Sequence, residues 1–276
     1  MDKELLDRLA PFRDEAVEQG IPLAEVERWT ASAARPCASL STDGDGPVVG
    51  HFGGPLLLPP ELPDPYYPLI ATIDLAALPA DATDLQLPAG GHLLLFAHAD
   101  DPYGRGGGGE ALYLPPGTAV EEREVRDGAT DFSDDAKTQE QVLRLLEQYP
   151  QGEMRLSRDV LLPSYSDPDV PDHFWTALVR DHPRAEQMSE VWDEVGWRIP
   201  GGGPLQLGGY PSDEYGGEGF HRESPDGQNP RDWVLLADWH PGLEGREGLT
   251  VHWPIRLPDL AAGRFDQATA TIFWNP

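Results

Sequence analysis

Two glycine–proline elements constrain the fold of this chain more than any other feature. The segment FGGPLLLP at residues 52–59 returns in a looser form as LQLGGYP at residues 205–211. Adjacent glycines after apolar residues are typical of a strand that ends in a turn with positive φ, and the following proline favours extended backbone. The pattern assigns structural turns to Gly53, Gly54, Pro55, Gly208, Gly209 and Pro211.

Similar strand patterns follow both elements. Apolar and alternating segments predict strands at residues 47–52, 68–74, 92–98, 110–114, 119–125, 156–162, 232–239, 248–256 and 267–274. Each glycine element precedes an apolar strand, and a further strand follows behind a glycine-containing loop. This order predicts an α+β, β-dominated fold of two similar sheet-based halves, with a possible internal duplication. The alternative is one β-rich domain in which two edges both need glycine turns.

Helical periodicity is concentrated at the N-terminus and in the centre of the chain. Residues 2–19 and 23–34 carry apolar residues at helical spacing, and so do parts of residues 134–149 and 172–195. We therefore predict a helical segment at residues 1–36 that packs on the core. Residues 37–276 are predicted to form a single domain, with halves at about 37–150 and 200–276 joined by a partly helical segment.

The order of these elements resembles the YwqG-like proteins, a bacterial domain of unknown function (DUF1963). The resemblance rests on both glycine elements, on the strand ending at Asp74 and on LLPS at residues 161–164, and it spans roughly residues 45–276. The family often has Trp-Pro where Tyr67 and Pro68 stand, and glutamine after the two apolar strands, where this chain has other residues. The resemblance implies a fold but no established activity. Some members look to be encoded near secreted-toxin systems, which implies an immunity or partner-binding role.

The charge of the chain limits its partners. Acidic residues outnumber basic ones by 48 to 20, for a formal net charge of −28. That charge repels phosphate and anionic membrane surfaces, so neither nucleic acid nor a membrane is an expected partner. It permits a basic protein partner or a cationic ligand, and otherwise serves only solvation.

Cysteine content and the first residues indicate the compartment. Cys37 is the single cysteine, so the chain can form neither an intrachain disulfide nor a thiolate metal cluster. The first residues are charged and no apolar run follows them, which predicts no secretory signal. No stretch approaches the ~20 apolar residues that span a bilayer. A soluble, cytoplasmic protein is the expectation.

Motif searches give no catalytic signature. The chain has no Gly-x-Ser-x-Gly elbow, no Gly-x-x-x-x-Gly-Lys phosphate loop and no His-Glu-x-x-His zinc helix. We therefore predict no catalytic residues, no metal ligands and no cofactor.

Three polar residues form the sharpest site hypothesis. Asp74 and Asp238 end the corresponding apolar strands of the two halves, and His240 follows the second. If a pseudo-two-fold relates the halves, these groups converge on one cleft as ligand-binding groups. The alternative is that both aspartates cap turns and the histidine is satisfied locally.

Aromatic residues offer a second interpretation. Trp239 belongs to a cluster of aromatic residues in the C-terminal strands and the loop before them: Trp233, Trp239, Trp253, Trp274, Tyr210 and Tyr215. Such residues either line a groove for a ligand or fill a β-rich core. Together these patterns predict a non-enzymatic protein-binding module, and the resemblance to the YwqG-like proteins implies that it is of the toxin-immunity type, with a basic or toxin-like partner. The alternative is a small-molecule- or metal-dependent enzyme with its site between the halves.

Overall fold

Ten strands of one antiparallel sheet close into a barrel. The computed structural model describes residues 1, 3–99, 108–124, 135–164, 182–199, 202–212 and 232–274. The strands are β1 Arg35–Ser41, β2 Val48–Phe52, β3 Leu56–Leu58, β4 Leu69–Asp74, β5 His92–Ala97, β6 Gly109–Leu114, β7 Glu121–Arg123, β8 Gly152–Leu161, β9 Leu205–Gly208, β10 Trp233–Trp239, β11 Leu249–Arg256 and β12 Thr269–Trp274. Around the barrel the order is β1-β8-β2-β4-β5-β6-β12-β11-β10-β9, and β9 pairs with β1 to close it.

The helices lie outside the barrel wall or at its ends. They are α1 Lys3–Arg8, α2 Ala10–Glu18, α3 Leu23–Ala33, α4 Ala136–Leu146, α5 Ala185–Val195 and α6 Leu257–Ala261, with 3₁₀ turns at Gly196–Arg198 and Phe265–Gln267. Asp135 caps α4 by accepting a hydrogen bond from Thr138 N at 2.9 Å. Within the described ranges, no helix is both long and apolar enough to cross a membrane.

The predicted division into two similar sheet-based halves is wrong. Strands from the two predicted halves pair directly with each other, β1 with β9 and β6 with β12. The central strand β8 lies between β1 and β2, so it is part of the same wall. Closure gives each barrel strand two neighbours and leaves no open edge. The β-dominated α+β composition predicted from the sequence fits this architecture in part.

Alternate side chains of each barrel strand fill its interior. In β5, for example, Leu93, Leu95 and Ala97 point inward to the main core, whereas Leu94 and Phe96 point outward. The large interior side chains include Phe52, Trp239 and Trp253, each of which is fully buried. The barrel interior is therefore packed with side chains.

Two further layers cover parts of the outer wall. Helices α2 and α3 pack with α5 and with the end of β8 around buried Phe12, Trp29 and Trp192. On another side, the short β3–β7 ladder covers Leu94 and Phe96. These layers leave clefts at their borders, and both candidate sites lie in such clefts.

Candidate functional site

A row of polar residues crosses the outer face of the barrel. The strand register places one polar residue from each of several neighbouring strands side by side, in the order Ser157, Ser39, Gln206, Asp238, His252 and Thr271. Asp238 shows why they face outward, because its neighbours Ala237 and Trp239 belong to the barrel interior. We call this set the polar row. Two of its members, Asp238 and His252, form the centre of the candidate site.

Asp238 is a fully buried carboxylate with partners at both oxygens. Its side chain is 1% exposed, and that of His252 is 0% exposed. Nδ1 of His252 lies 3.1 Å from Oδ1 of Asp238. Oδ2 accepts a hydrogen bond from Ser212 N at 3.0 Å and a second one from the Ser212 hydroxyl. Oδ2 is thus hydrogen-bonded within the chain, whereas Oδ1 has only the charge contact with His252 and no hydrogen bond among the described residues.

The partners of Asp238 decide its ionisation. Burial alone raises the pKa of this carboxyl, but attraction to His252 and His240, together with the hydrogen bonds from Ser212, lowers the pKa below its ordinary value. A carboxyl with a lowered pKa is ionised at neutral pH. Asp238 therefore contributes a negative charge beside His252.

We expect this charge to make stability depend on pH. Because the pKa of Asp238 is lower in the folded than in the unfolded chain, its stabilisation is complete above the unfolded value, near pH 4, and is lost as pH falls through the folded value. The difference in free energy of unfolding between the wild type and Asp238→Asn should therefore shrink as pH falls below about 4. Urea unfolding at several pH values measures it. A difference that stays constant from neutral to acid pH would contradict an ionised Asp238.

The second glycine pair forms the turn that carries Ser212 to Asp238. Gly208 and Gly209 have φ values of 69° and 75°, which glycine adopts with little strain. The Gln206 amide donates to the carbonyls of Gly208 at 2.7 Å and of Tyr210 at 3.0 Å. The Tyr210 hydroxyl donates at 2.7 Å to the carbonyl of the last residue of α3. These bonds fix the turn and hence the position of Ser212.

A hydrogen-bond chain connects His240 at the surface to the buried carboxylate. The Ser212 hydroxyl contacts both Oδ2 of Asp238 and Nε2 of His240, whose side chain is 40% exposed. A hydroxyl has one proton and gives it to the stronger acceptor, here the ionised carboxylate, so it accepts from the imidazole N–H. In this direction His240 cannot take the serine proton. With the proton on Nε2, His240 is anchored by its contact with the Ser212 hydroxyl.

A cleft of about 400 Å³ opens beside Ser212 and His240. It lies between the end of β8, helix α5 with its following 3₁₀ turn, and the turn at residues 208–212. Its lining includes Asp159, Trp192, Asp193, Trp197, Ser212 and His240. We call it the Trp197 pocket. Among its described lining residues there is no lysine and no arginine.

Trp197 stands at the mouth of this pocket with its ring oriented. The side chain is 78% exposed, the largest exposed fraction of any large hydrophobic residue described. Its indole N–H donates to the carbonyl of Glu194 at 2.7 Å. The guanidinium of Arg198 lies 5.3 Å from the ring centre. An ordered and exposed indole of this kind can contact a ligand without first losing much side-chain freedom.

Two further ionisable groups are buried here, Asp159 in the pocket lining and Cys37 beside it. Burial raises the pKa of Asp159, although a hydrogen bond from Val160 N and the Arg8 guanidinium at 3.7 Å act in the opposite direction. Cys37 faces Asp159 across the β1–β8 pair. Burial raises the pKa of its thiol well above the ordinary value, so the thiolate is disfavoured.

The structure brings together two of the four predicted ligand-binding residues. Asp238 and His240 share the candidate site, but Asp74 lies on β4, on the opposite side of the barrel from β10. Oδ1 of Asp74 accepts a hydrogen bond from Ala76 N at 3.0 Å, so it caps a turn as the alternative interpretation had it. Trp239 points into the interior, where its ring packs edge-on against Tyr149 with centroids 5.0 Å apart.

The first glycine pair lies away from this site, at the end of β2. Gly53 has a φ of 71°, and the peptide bond between Gly54 and Pro55 is cis. The motif search did not find Ser212 or His252. The signal for His252 is a single polar residue between apolar ones in a strand, Val251-His252-Trp253, whereas Ser212 follows the turn after β9 and carries no such signal.

Two comparisons with known proteins found no relative of this chain. No protein-family model matches the chain, and no curated protein gives a significant match. The resemblance to the YwqG-like proteins therefore stays a prediction. Among the described residues, no group of three or more His, Cys, Asp or Glu side chains is arranged to hold a metal ion.

Proposed function

We propose that this protein is a non-catalytic binding protein and that its Trp197 pocket takes a basic side chain of a protein partner. One observation carries the proposal: an exposed tryptophan and acidic groups line a cleft of about 400 Å³ whose described lining has no lysine or arginine. A pocket of that size accommodates one long side chain. Asp193 in its wall favours lysine or arginine, and the Arg198 guanidinium beside Trp197 acts in the opposite direction.

The charge of the whole protein acts in the same direction. With a net charge of −28, the protein attracts basic partners over a range limited by the Debye length, about 8 Å at physiological salt. Such attraction raises the association rate more than the final affinity. The toxin-immunity role implied by the resemblance would call for a basic partner of this kind, and it stays a prediction.

The exposed indole supplies the short-range contact. Guanidinium and ammonium groups bind over tryptophan rings, and tryptophan is enriched among the few residues that dominate protein interfaces. In this chain Arg198 already lies over the ring of Trp197. A partner arginine would use the ring in the same way, with Asp193 at the pocket wall as an acidic neighbour.

The enzymatic alternative has less support. It used Asp74, Asp238 and His240 in one cleft, and Asp74 lies on the opposite side of the barrel. Both oxygens of Asp238 are engaged by Ser212 and His252. We therefore assign Asp238 a positioning role, in which it holds Ser212 and His240 at the edge of the binding pocket.

We expect peptides selected against this protein to be rich in arginine and lysine. A random peptide library displayed on phage, selected at about physiological salt, tests this. For a selected peptide, Trp197→Ala should weaken binding by about tenfold or more, because loss of an anchor tryptophan typically removes 2 kcal/mol or more. Isothermal titration calorimetry measures the affinity.

Matched variants distinguish binding in the Trp197 pocket from general attraction by the net negative charge of the protein. Tyr66→Ala removes another exposed aromatic residue, and Glu190→Gln removes one negative charge from α5 outside the pocket lining. Both should bind like the wild type, whereas Asp193→Asn should bind more weakly. Peptides without basic enrichment, or equal binding by Trp197→Ala and Tyr66→Ala, would refute the proposal.

A further inference from the structure

A second cleft lies on the opposite outer wall, and it contains Asp74. It is formed by β2, β4 and β5 of the barrel together with the β3 segment and the loop after β6, and its volume is about 380 Å³. Its lining includes His51, Leu57, Thr72, Asp74, Leu94 and Leu114. We call it the Asp74 pocket. No lysine or arginine occurs among its described lining residues.

The floor of this pocket is polar because of the strand register. His51 lies directly opposite Thr72 in the β2–β4 pair, and Asp74 lies directly opposite His92 in the β4–β5 pair. Directly opposed residues in antiparallel strands have side chains on the same face. Three neighbouring strands thus place two imidazoles, one hydroxyl and one carboxylate on one patch.

Two polar atoms of this floor can form hydrogen bonds with a ligand. Oδ1 of Asp74 accepts from Ala76 N, and within the described part of the chain Oδ2 has no hydrogen-bond partner. Oγ1 of Thr72 is buried and also lacks a partner among the described residues. A buried hydroxyl without a partner is unfavourable, so a ligand group that bonds to it would gain affinity.

The walls of the pocket are apolar. Leu94 and Leu114 are 1% and 5% exposed, and they belong to the small core beneath the β3–β7 ladder. Leu57 on β3 is 41% exposed and forms an outer wall. An apolar cleft with a few convergent polar groups is the usual form of a small-molecule site.

We propose that the Asp74 pocket binds a small apolar molecule that carries one protonated amine. The ammonium group bonds to Oδ2 of Asp74, and its neighbours Thr72 and His92 offer further hydrogen-bond acceptors. The apolar body packs on Leu94, Leu114 and Leu57. Charge selects the amine, because the described lining holds a carboxylate and no lysine or arginine to compensate it. This site is independent of the Trp197 pocket and of the partner proposed there.

Three probes with the same body and different head groups test this assignment. They are 3-phenylpropylamine, 3-phenylpropanol and 3-phenylpropionate, each titrated into the full-length protein and followed by NMR chemical shifts. We expect the amine to bind about tenfold more tightly than the alcohol, since a charge-assisted hydrogen bond to a partly exposed carboxylate replaces a neutral one. The carboxylate should bind most weakly. Shift changes should centre on β2, β4 and β5.

Variants test whether the preference for the amine arises in the Asp74 pocket. Asp74→Asn should remove the preference for the amine over the alcohol, whereas Asp14→Asn, which removes the same charge from the exposed face of α2, should retain it. Thr72→Val should weaken binding of both the amine and the alcohol, because it removes the hydroxyl and keeps the side-chain shape. Trp197→Ala should bind the amine as the wild type does, which separates this site from the Trp197 pocket.

Several results would overturn the assignment. These are failure of the amine to bind at millimolar concentration, equal affinity for the amine and the alcohol, and equal losses in Asp74→Asn and Asp14→Asn. Loss of amine binding in Trp197→Ala with no effect of Asp74→Asn would place the cation in the other pocket. That outcome would reject the Asp74 pocket and leave the proposed partner-binding function standing.

Discussion

Replacing Asp238 with alanine is expected to lower the free energy of unfolding by about 3–5 kcal/mol, the usual loss when one partner of a buried ion pair is removed. The carboxylate is 1% exposed, and His252 beside it is 0% exposed. Without the carboxylate, His252 would remain buried in the wall with its main partner gone. Ser212 would also lose the acceptor for both its backbone N–H and its hydroxyl.

Urea unfolding followed by circular dichroism measures this loss. Asp238→Asn keeps the size and part of the hydrogen bonding, so its loss should be smaller than that of the alanine variant. Asp14→Asn on the exposed face of α2 is the matched control and should change stability by no more than about 0.5 kcal/mol. If Asp238→Ala unfolds within 1 kcal/mol of the wild type, the buried pair does not stabilise the barrel, and the positioning role assigned to Asp238 fails with it.

The second large effect is expected at Trp239. Trp239→Ala should destabilise the protein by about 3–5 kcal/mol, because it leaves a cavity where a fully buried indole packs against Tyr149. Trp197→Ala is the informative comparison, since the same change at a 78% exposed side chain should alter stability by only about 0.5 kcal/mol. Trp239→Ala should thus lower stability, whereas Trp197→Ala should lower peptide binding and leave stability almost unchanged.

The same unfolding experiment decides between the two interpretations of Trp239. A core residue affects stability first, whereas a ligand-binding residue affects affinity with little change in stability. If Trp239→Ala is as stable as the wild type and loses binding of a selected peptide, the indole contacts the ligand and the interior placement is wrong. Equal stability of the two tryptophan variants would likewise contradict the packing described for the barrel.

Local pattern was sufficient for most strands but not for their pairing. The alternation in β12 and the apolar runs of β4, β5 and β10 are visible in the sequence because side chains alternate between a core and an outer face. Strand β1 was not predicted. It begins Arg-Pro-Cys-Ala-Ser, a segment with few β-branched or aromatic residues. Its pairing with β8 and β9 stabilises it, and that information is not local.

Two of the four residues at the candidate site could be predicted from the sequence, because only these two lie close together in the chain. Asp238 and His240 are two residues apart, so a short motif reveals both. Ser212 and His252 reach Asp238 only through the turn after β9 and the β10–β11 register. Asp74 was grouped with Asp238 because the strands look alike in sequence, yet their place in the barrel order puts them on opposite walls. Similar local pattern does not imply a shared site.

The barrel order has a consequence for how this protein is made. Strand β1 ends at Ser41, but its two neighbours, β8 and β9, begin only at Gly152 and Leu205. During synthesis from the N-terminus, β1 therefore leaves the ribosome long before either of its partners exists. Unpaired strands in a nascent chain are prone to aggregate, and long-range pairing folds slowly. The wall can close only when β12, the last strand to be made, pairs with β6, so β1 waits for its partners through most of the synthesis.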